Sequence, residues 1–262
     1  MFFNKTFLLE IVIMSIEFKK ELDLAKKAAK KAGKFLLKNK ILLNTELSST
    51  SKDIKLQADI EAENIIKEAL TNESEIAILA EETGLSVQTL PEVFWVIDPL
   101  DGTSNYSRDI PICCVSIALV SKMKPILGVI YDFNNDSLFH GSVHAKAVCN
   151  EQFIEVSKIS DPAKGILITG LPNDTDYSDT AMKNMINNFQ SWRKVRMIGS
   201  AAMASAYIAS GKADAYSETK TYLWDVAAGA ALVNAAGGKA VIKNQNDKFQ
   251  VDVLFTNSSL ST

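Results

Sequence analysis

What the chain has little of narrows its class first. Three cysteines stand in 262 residues, adjacent at Cys113 and Cys114 and single at Cys149, with neither zinc spacing nor a disulfide framework. They read as small buried hydrophobes rather than redox groups, and free thiols suit a reducing cytoplasm. Histidine is scarcer: His140 and His144 sit four apart in or beside an expected strand, cannot easily meet on one metal, and read as strand-edge residues. Neither sign of charge dominates, with 28 basic against 31 acidic residues, a net charge of -3 and a pI near 5.6. Without a basic footprint, nucleic acid is not the expected partner. Long apolar runs are missing too. The opening Met1-Phe2-Phe3-Asn4-Lys5-Thr6-Phe7-Leu8-Leu9-Glu10-Ile11-Val12-Ile13-Met14 is interrupted at Glu10, precedes no small-residue cleavage site, and falls short of the roughly 20 apolar residues of a membrane span. Residues 1–16 are read as an N-terminal extension or as the product of a start upstream of Met14, and no membrane partner is expected.

What is present suits a globular chain able to bury a full core: 47% of residues are hydrophobic and 23% charged, with no internal repeat, low-complexity tract or long linker. Phe18, Leu22, Ala25, Ala29, Ala32 and Leu36 recur at spacings of four and three, which predicts an amphipathic helix. Its lysines read as a solvated face, with an anionic partner as the other reading. Residues 48–52 read as a turn. A second helix is expected from about Gln57 to Leu70, with Ile60, Ile65, Ala69 and Leu70 inward. Short strands are expected at Ile76 to Leu79 and Val93 to Ile97, each ending at a carboxylate. Beyond Pro111, Cys113 to Val120, Ile126 to Phe133 and Ser137 to Val143 read as an antiparallel meander. After about Lys158 strands alternate with helices, the last of them Trp224 to Ala236, stopped by Gly237-Gly238. The expected organisation is an α+β lobe at 17–158 and an α/β lobe at 159–262.

The densest chemistry lies in Trp95-Val96-Ile97-Asp98-Pro99-Leu100-Asp101-Gly102-Thr103-Ser104-Asn105-Tyr106. An apolar run delivers two carboxylates, and Pro99 restricts the turn so that both side chains and the Leu100 carbonyl can face one point. Alone, such a string is also what a plain surface turn looks like. With Glu81-Glu82 upstream and Trp224-Asp225 downstream, the candidate ligands are Glu81, Asp98, Asp101 and Asp225, hard oxygen donors suited to magnesium or manganese rather than zinc. Gly102 lets backbone approach a ligand closely, and a helical turn from Thr103 would aim N–H groups at a phosphate; a simple N-cap is the compatible alternative for Thr103.

These segments resemble the two signatures of the inositol monophosphatase family, magnesium-dependent and lithium-sensitive phosphatases. Asp98 to Tyr106, with Ile110-Pro111 behind it, resembles the first, and Trp224-Asp225-Val226-Ala227-Ala228-Gly229 through Gly238 the second; the match runs from about Phe18 to Thr256. The resemblance implies a layered αβαβα fold with metals between the lobes. It places Glu81, Asp98 and the Leu100 carbonyl on a first metal, Asp98, Asp101 and Asp225 on a second, and a weaker third near Glu81. It makes Glu81 and Thr103 the residues that orient an attacking water, with Asp101 beside them. Asp53 or, in better register, Asp59 would support Thr103. Phosphate would lie on Asp101, Gly102 and Thr103, and the alcohol against Gly199, Ser200, Ala201, Glu218 and Asp225. An exposed loop glutamate is the alternative for Glu218, and Trp224 would pack the helix that presents Asp225.

Two departures stand out: Lys55-Leu56 replaces the family's usual Val-Thr, and Val143-His144-Ala145-Lys146-Ala147 replaces a glycine-rich hairpin. Asn105-Tyr106 and Glu218 resemble the inositol branch, so the expected substrate is inositol monophosphate or a related polyol phosphate. The other readings are a 3'(2'),5'-bisphosphate nucleotidase, a fructose-1,6-bisphosphatase or NADP phosphatase, or, as in some bacterial relatives, a partner of the transcription machinery. The resemblance also implies a homodimer.

Overall fold

The structure is a computed structural model that describes residues 18–49, 54–171 and 175–260. Residues 1–16 and Asp53 lie outside the described residues.

Strand β5 (Val93–Asp101) sets the architecture. Phe94 and Val96 enter one core, while Trp95 and Ile97 enter another, so the strand is apolar on both faces and must be covered twice. It belongs to an eight-stranded sheet of spatial order β10 (Gln152–Phe153), β9 (Ala145–Cys149), β8 (Ser137–Ser142), β7 (Lys124–Asp132), β6 (Cys114–Ser121), β5, β3 (Ala77–Ala80), β4 (Gly84–Leu85). The pair β3 and β5 is parallel. The expected meander is β6 to β8, extended by β9 and β10, and all of its pairings are antiparallel.

Helices α1 (Lys19–Lys38) and α3 (Gln57–Thr71) cover one face, where Ala25, Ala29, Ala32 and Leu36 share a core with Trp95, Ile117 and Val129. Between them run α2 (Lys40–Leu43) and the hairpin β1 (Glu46–Ser49) with β2 (Ile54–Leu56). Helices α6 (Ala201–Ala209) and α7 (Leu223–Ala235) cover the other face. They are Ala-rich and apolar almost all round because a second sheet lies behind them. That sheet has five strands in the order β12 (Lys194–Met197), β11 (Ile166–Thr169), β13 (Ala215–Tyr222), β15 (Gln250–Thr256), β14 (Lys239–Lys243), with β11 parallel to both neighbours. On its outer side α5 (Asp179–Gln190) lays Phe189 near Leu167 and Ala215. The layers are therefore αβαβα, as the resemblance implied.

Several sequence expectations are corrected. The strand expected to end at Asp98 runs three residues further and ends at Asp101, its register with β6 shifting between the two carboxylates, where Pro99 has no N–H to pair. The inward stripe of α3 is Ala58, Asp59, Ala62, Glu63, Ile66 and Leu70, and Ile60 is turned away from full burial. Ser48 and Ser49 belong to β1. His140 stands on β8, an interior strand rather than an edge, and burial pushes its imidazole down to about 4. Glu218 is on β13, not in a loop.

Candidate active site

Four segments deliver the predicted carboxylates to one place. Asp98 and Asp101 come from the end of β5, Glu81 from the turn after β3, and Asp225 from the first turn of α7. Glu81, Asp98, Leu100, Asp101, Gly102, Thr103, Gly199, Ser200, Ala201, Glu218 and Asp225 all line a single cavity of about 300 Å³. Asp59 stands behind that wall, against Thr103.

Local chemistry explains each placement. Parallel pairing of β3 with β5 carries Glu81 to the level of Ile97, whose carbonyl accepts from the Glu81 N–H at 3.2 Å. The turn is held by Glu63, a buried carboxylate on α3 that accepts from the Glu82 N–H at 2.9 Å and the Thr83 hydroxyl at 2.6 Å. Gly102 has φ 91°, and a Cβ there would come 2.8 Å from the Ile112 carbonyl, so glycine alone fits. The short helix α4 (Thr103–Ser107) follows. The Thr103 hydroxyl lies 2.8 Å from Asp59 Oδ1 and 3.0 Å from the Leu100 carbonyl, and Asp59 Oδ2 accepts from the Leu56 N–H at 2.7 Å. Leucine has no oxygen with which to cap α3, so the Lys55-Leu56 departure leaves Asp59 as that helix start's acceptor. Lys55 pairs with Glu82, the neighbour of Glu81 in that turn. The altered hairpin, 143–147, does not line the cavity.

Residues expected on the alcohol side also bond to one of the clustered carboxylates. Asp101 Oδ2 accepts from the Ser200 hydroxyl and from the Ala202 N–H at 2.8 Å, and Oδ1 from the Ala201 N–H at 3.3 Å. A carboxylate of the first sheet thus caps α6, whose free N–H groups favour negative charge. Asp225 Oδ2 accepts from the Thr221 hydroxyl at 2.7 Å and the Tyr222 N–H at 2.9 Å, which leaves Oδ1 unspent on these bonds. Trp224 stacks on Tyr222 with ring centroids 4.7 Å apart, a packing role as expected. Asn105 donates to the carbonyls of Ile198 and Ile112, both at 2.8 Å, joining the two sheets, while the buried Tyr106 hydroxyl donates to the Leu36 carbonyl. Both residues therefore act on the site by fixing its loop.

Three residues were not singled out from sequence. Glu63 gave one signal, an acidic side chain four residues after Asp59 on the same helical face. Tyr216 donates from its hydroxyl to Glu218 Oε2 at 2.9 Å, and a Cβ at Gly170 would overlap the Glu218 carboxylate. Neither has a signal short of the fold.

The electrostatics are those of crowded acids. Burial and the Asp225 charge raise Glu81 well above the usual carboxylate range, and burial with the Glu81, Asp101 and Asp225 charges does the same for Asp98. Burial first, then Asp101, pushes Asp225 up to about 7. Burial raises Asp59 to about 6 against the opposing bonds from Leu56 and Thr103. Among the described residues no three such side chains are already drawn into a closed ligand cage. The donor set nevertheless fits a hard divalent cation: it is all oxygen, it repels itself, and it can ionise together only if positive charge enters.

The sequence profile of the inositol monophosphatase family matches residues 19–259. The chain belongs to this family. Among its relatives is a protein named Nus factor SuhB from Xylella fastidiosa, 41% identical over 216 residues that make up 81% of this chain and 78% of that protein. Another, named inositol-1-monophosphatase, from Synechocystis sp., is 36% identical over 194 residues, 71% of this chain and 66% of the relative. The solved structure of the inositol monophosphatase from Anabaena (Nostoc) sp. is similar at a TM-score of 0.80 and 33% identity, covering 93% of this chain and 92% of that one. The fold and both signatures thus agree with the family, whose members carry more than one functional name.

Proposed function

We propose that this protein is a magnesium-dependent phosphomonoesterase acting on inositol monophosphate or a related polyol phosphate. The observation that carries the reading is the convergence of Glu81, Asp98, Asp101 and Asp225 with Thr103 and Glu218 on one cavity. Glu81, Asp98, Leu100 through its carbonyl, Asp101 and Asp225 would hold the cation, magnesium or manganese, which when bound supplies charge that acidifies water and steadies a leaving alkoxide. The remaining work belongs to the chain. Thr103 has one hydroxyl proton, committed to Asp59 or the Leu100 carbonyl, so it meets a water only as an acceptor and turns the water's lone pair toward phosphorus. Glu81 is the carboxylate placed to take that water's other proton. Gly102 keeps the wall low enough for phosphate to approach backbone, and Glu218 accepts hydrogen bonds from substrate hydroxyls. Phosphate release from inositol-1-phosphate, 3'-phosphoadenosine 5'-phosphate and fructose-1,6-bisphosphate, with and without magnesium, tests the reading. Preference for the nucleotide or the bisphosphate would overturn the substrate class, and no release from any would overturn the activity.

The similarity to proteins named Nus factor supports a second reading, a partner of the transcription machinery. Pull-downs with the native chain and with Asp98→Asn separate the two: a partner retained by the inactive variant does not depend on catalysis.

A further inference from the structure

Helix α1 concentrates charge that the chain as a whole lacks. It carries eight lysines, at 19, 20, 26, 27, 30, 31, 34 and 38, against the acids Glu21 and Asp23. Outside it 20 basic residues stand against 29 acidic ones (28 less 8, 31 less 2), so α1 is a positive segment in an otherwise acidic chain. Some of these lysines are spent: Lys26 pairs with Asp23, Lys31 with Glu68, and Lys20 bonds the Glu73 carbonyl. Lys27, Lys30, Lys34 and Lys38 are different. They are exposed, follow one another at spacings of three, four and four along one helical face, and pair with no acidic side chain among the described residues. Where this row ends, apolar side chains project into solvent: Leu37 is 47% exposed, Ile41 94%, Leu42 76% and Leu47 46%. A single exposed leucine means nothing, but four aliphatic residues gathered at the end of an unpaired lysine row do.

We propose that this face docks on an anionic lipid bilayer, the lysines meeting headgroup phosphates while Ile41 and Leu42 enter the acyl boundary. No helix of the described residues is long or apolar enough to cross a membrane, so the association is peripheral. Charge complementarity favours an anionic surface, and the aliphatic tip favours lipid over nucleic acid. Residues 18–49 contain no arginine to read bases and present no exposed aromatic ring to stack on them, whereas Ile41 and Leu42 have no counterpart on a phosphate backbone. The proposal does not depend on the phosphatase reading, because α1 and α2 line neither the catalytic cavity nor the neighbouring one that shares Glu81 and Thr103.

The test is co-sedimentation of the full chain with vesicles of phosphatidylglycerol mixed with phosphatidylcholine, against phosphatidylcholine alone. Binding is expected only to the anionic vesicles, and is expected to fall steeply as salt rises toward about 0.5 M. Each lysine near such a surface contributes roughly fivefold in partitioning, so Lys27→Glu with Lys34→Glu and Lys38→Glu, which reverse three charges, should lose about a hundredfold or more. Ile41→Ser with Leu42→Ser should weaken binding about tenfold or more while leaving its salt dependence. Circular dichroism and unchanged turnover verify folding of each variant, and the corresponding Lys→Gln set substitutes if charge reversal disturbs the helix. Equal binding to neutral vesicles, binding unaltered by both sets, no vesicle binding, or tighter binding to RNA than to vesicles would overturn the proposal.

Discussion

The two sheets reach the cavity with unequal cover. The eight-stranded sheet is enclosed by helices on both faces, and β5 is buried from Phe94 through Asp101. The five-stranded sheet is well covered only on the side of α6 and α7; on its outer side no residue of α5 is fully buried, and edge strand β12 is mostly exposed. The enclosed sheet and its helices supply Asp98, Asp101, Glu81 and Asp59, whose oxygens must stay fixed relative to one another. The thinly covered sheet supplies Glu218 and Gly170, and with the following loop Gly199, where the alcohol would lie. Close packing transmits small errors, so on the proposed function reaction geometry would belong in the dense half, and selection among alcohols in the half that can alter without disturbing it.

The sharpest break of the comparison comes from the dense half. Asp98→Asn removes a charge from the proposed ligand set and should lower kcat about a thousandfold or more, since such charges are worth several kcal/mol in the transition state. Its melting temperature without magnesium should not fall, because one member of a mutually repelling group is gone. Near-normal turnover at saturating magnesium would sink the site. Next, Trp95→Ala empties a fully buried site on β5 and should cost about 3–5 kcal/mol in denaturant unfolding. Among the described residues the indole N–H has no partner, which places the cost toward the lower end.

The same contrast governs what was legible in the sequence. Strands β5 to β8 are apolar enough to announce themselves, and the two signatures lie where the fold must hold carboxylates. Strand β13, Ala-Tyr-Ser-Glu-Thr-Lys-Thr-Tyr, reads as polar loop. Its extended form comes from parallel pairing with β11 and antiparallel pairing with β15, partners distant in sequence. Helix α3 misled because Asp59 and Glu63 occupy its buried face, so function interrupts the apolar period. The capping of α6 by Asp101 spans 101 residues and leaves no local trace.

At the junction, Asn105→Ala removes two 2.8 Å bonds, the one to Ile198 joining the sheets and the one to Ile112 closing the signature loop, and leaves both carbonyls without that donor. A loss of about 1–3 kcal/mol is expected from chemical denaturation. A rise in KM larger than the fall in kcat would place the damage on the substrate side; an equal fall in kcat and kcat/KM would show instead that the signature loop itself depends on the second sheet.

Glu218→Gln acts wholly in the thin half and should change kcat less than about tenfold while raising KM for polyol phosphates. Burial, with the Asp101 charge and against the Tyr216 bond, lifts this carboxyl to about 7. In the native enzyme KM should therefore fall as pH rises from 6 to 8 and the acceptor ionises, and the glutamine variant should lose that slope. Stability has the opposite sign. A folded pKa raised above the free value of about 4.3 gives stability that is complete below it and lost as pH rises through 7. Without magnesium, Glu218→Gln should therefore gain on the native chain at pH 8 but not at pH 4.

The smallest effect bounds the comparison. Ile186 on α5 is 49% exposed, so Ile186→Ser removes little apolar contact and should shift unfolding free energy by no more than about 0.5 kcal/mol, with both kinetic constants unchanged. Its value lies in contrast with Trp95→Ala, a substitution of comparable chemical severity in the enclosed half. If the serine variant unfolds as readily as the Trp95 variant, α5 is covered by something beyond this chain. The division into a dense catalytic half and a permissive selective half would then describe the isolated subunit rather than the working protein. Sedimentation of the native chain and the serine variant would decide it, because a covering second copy would dissociate in the variant.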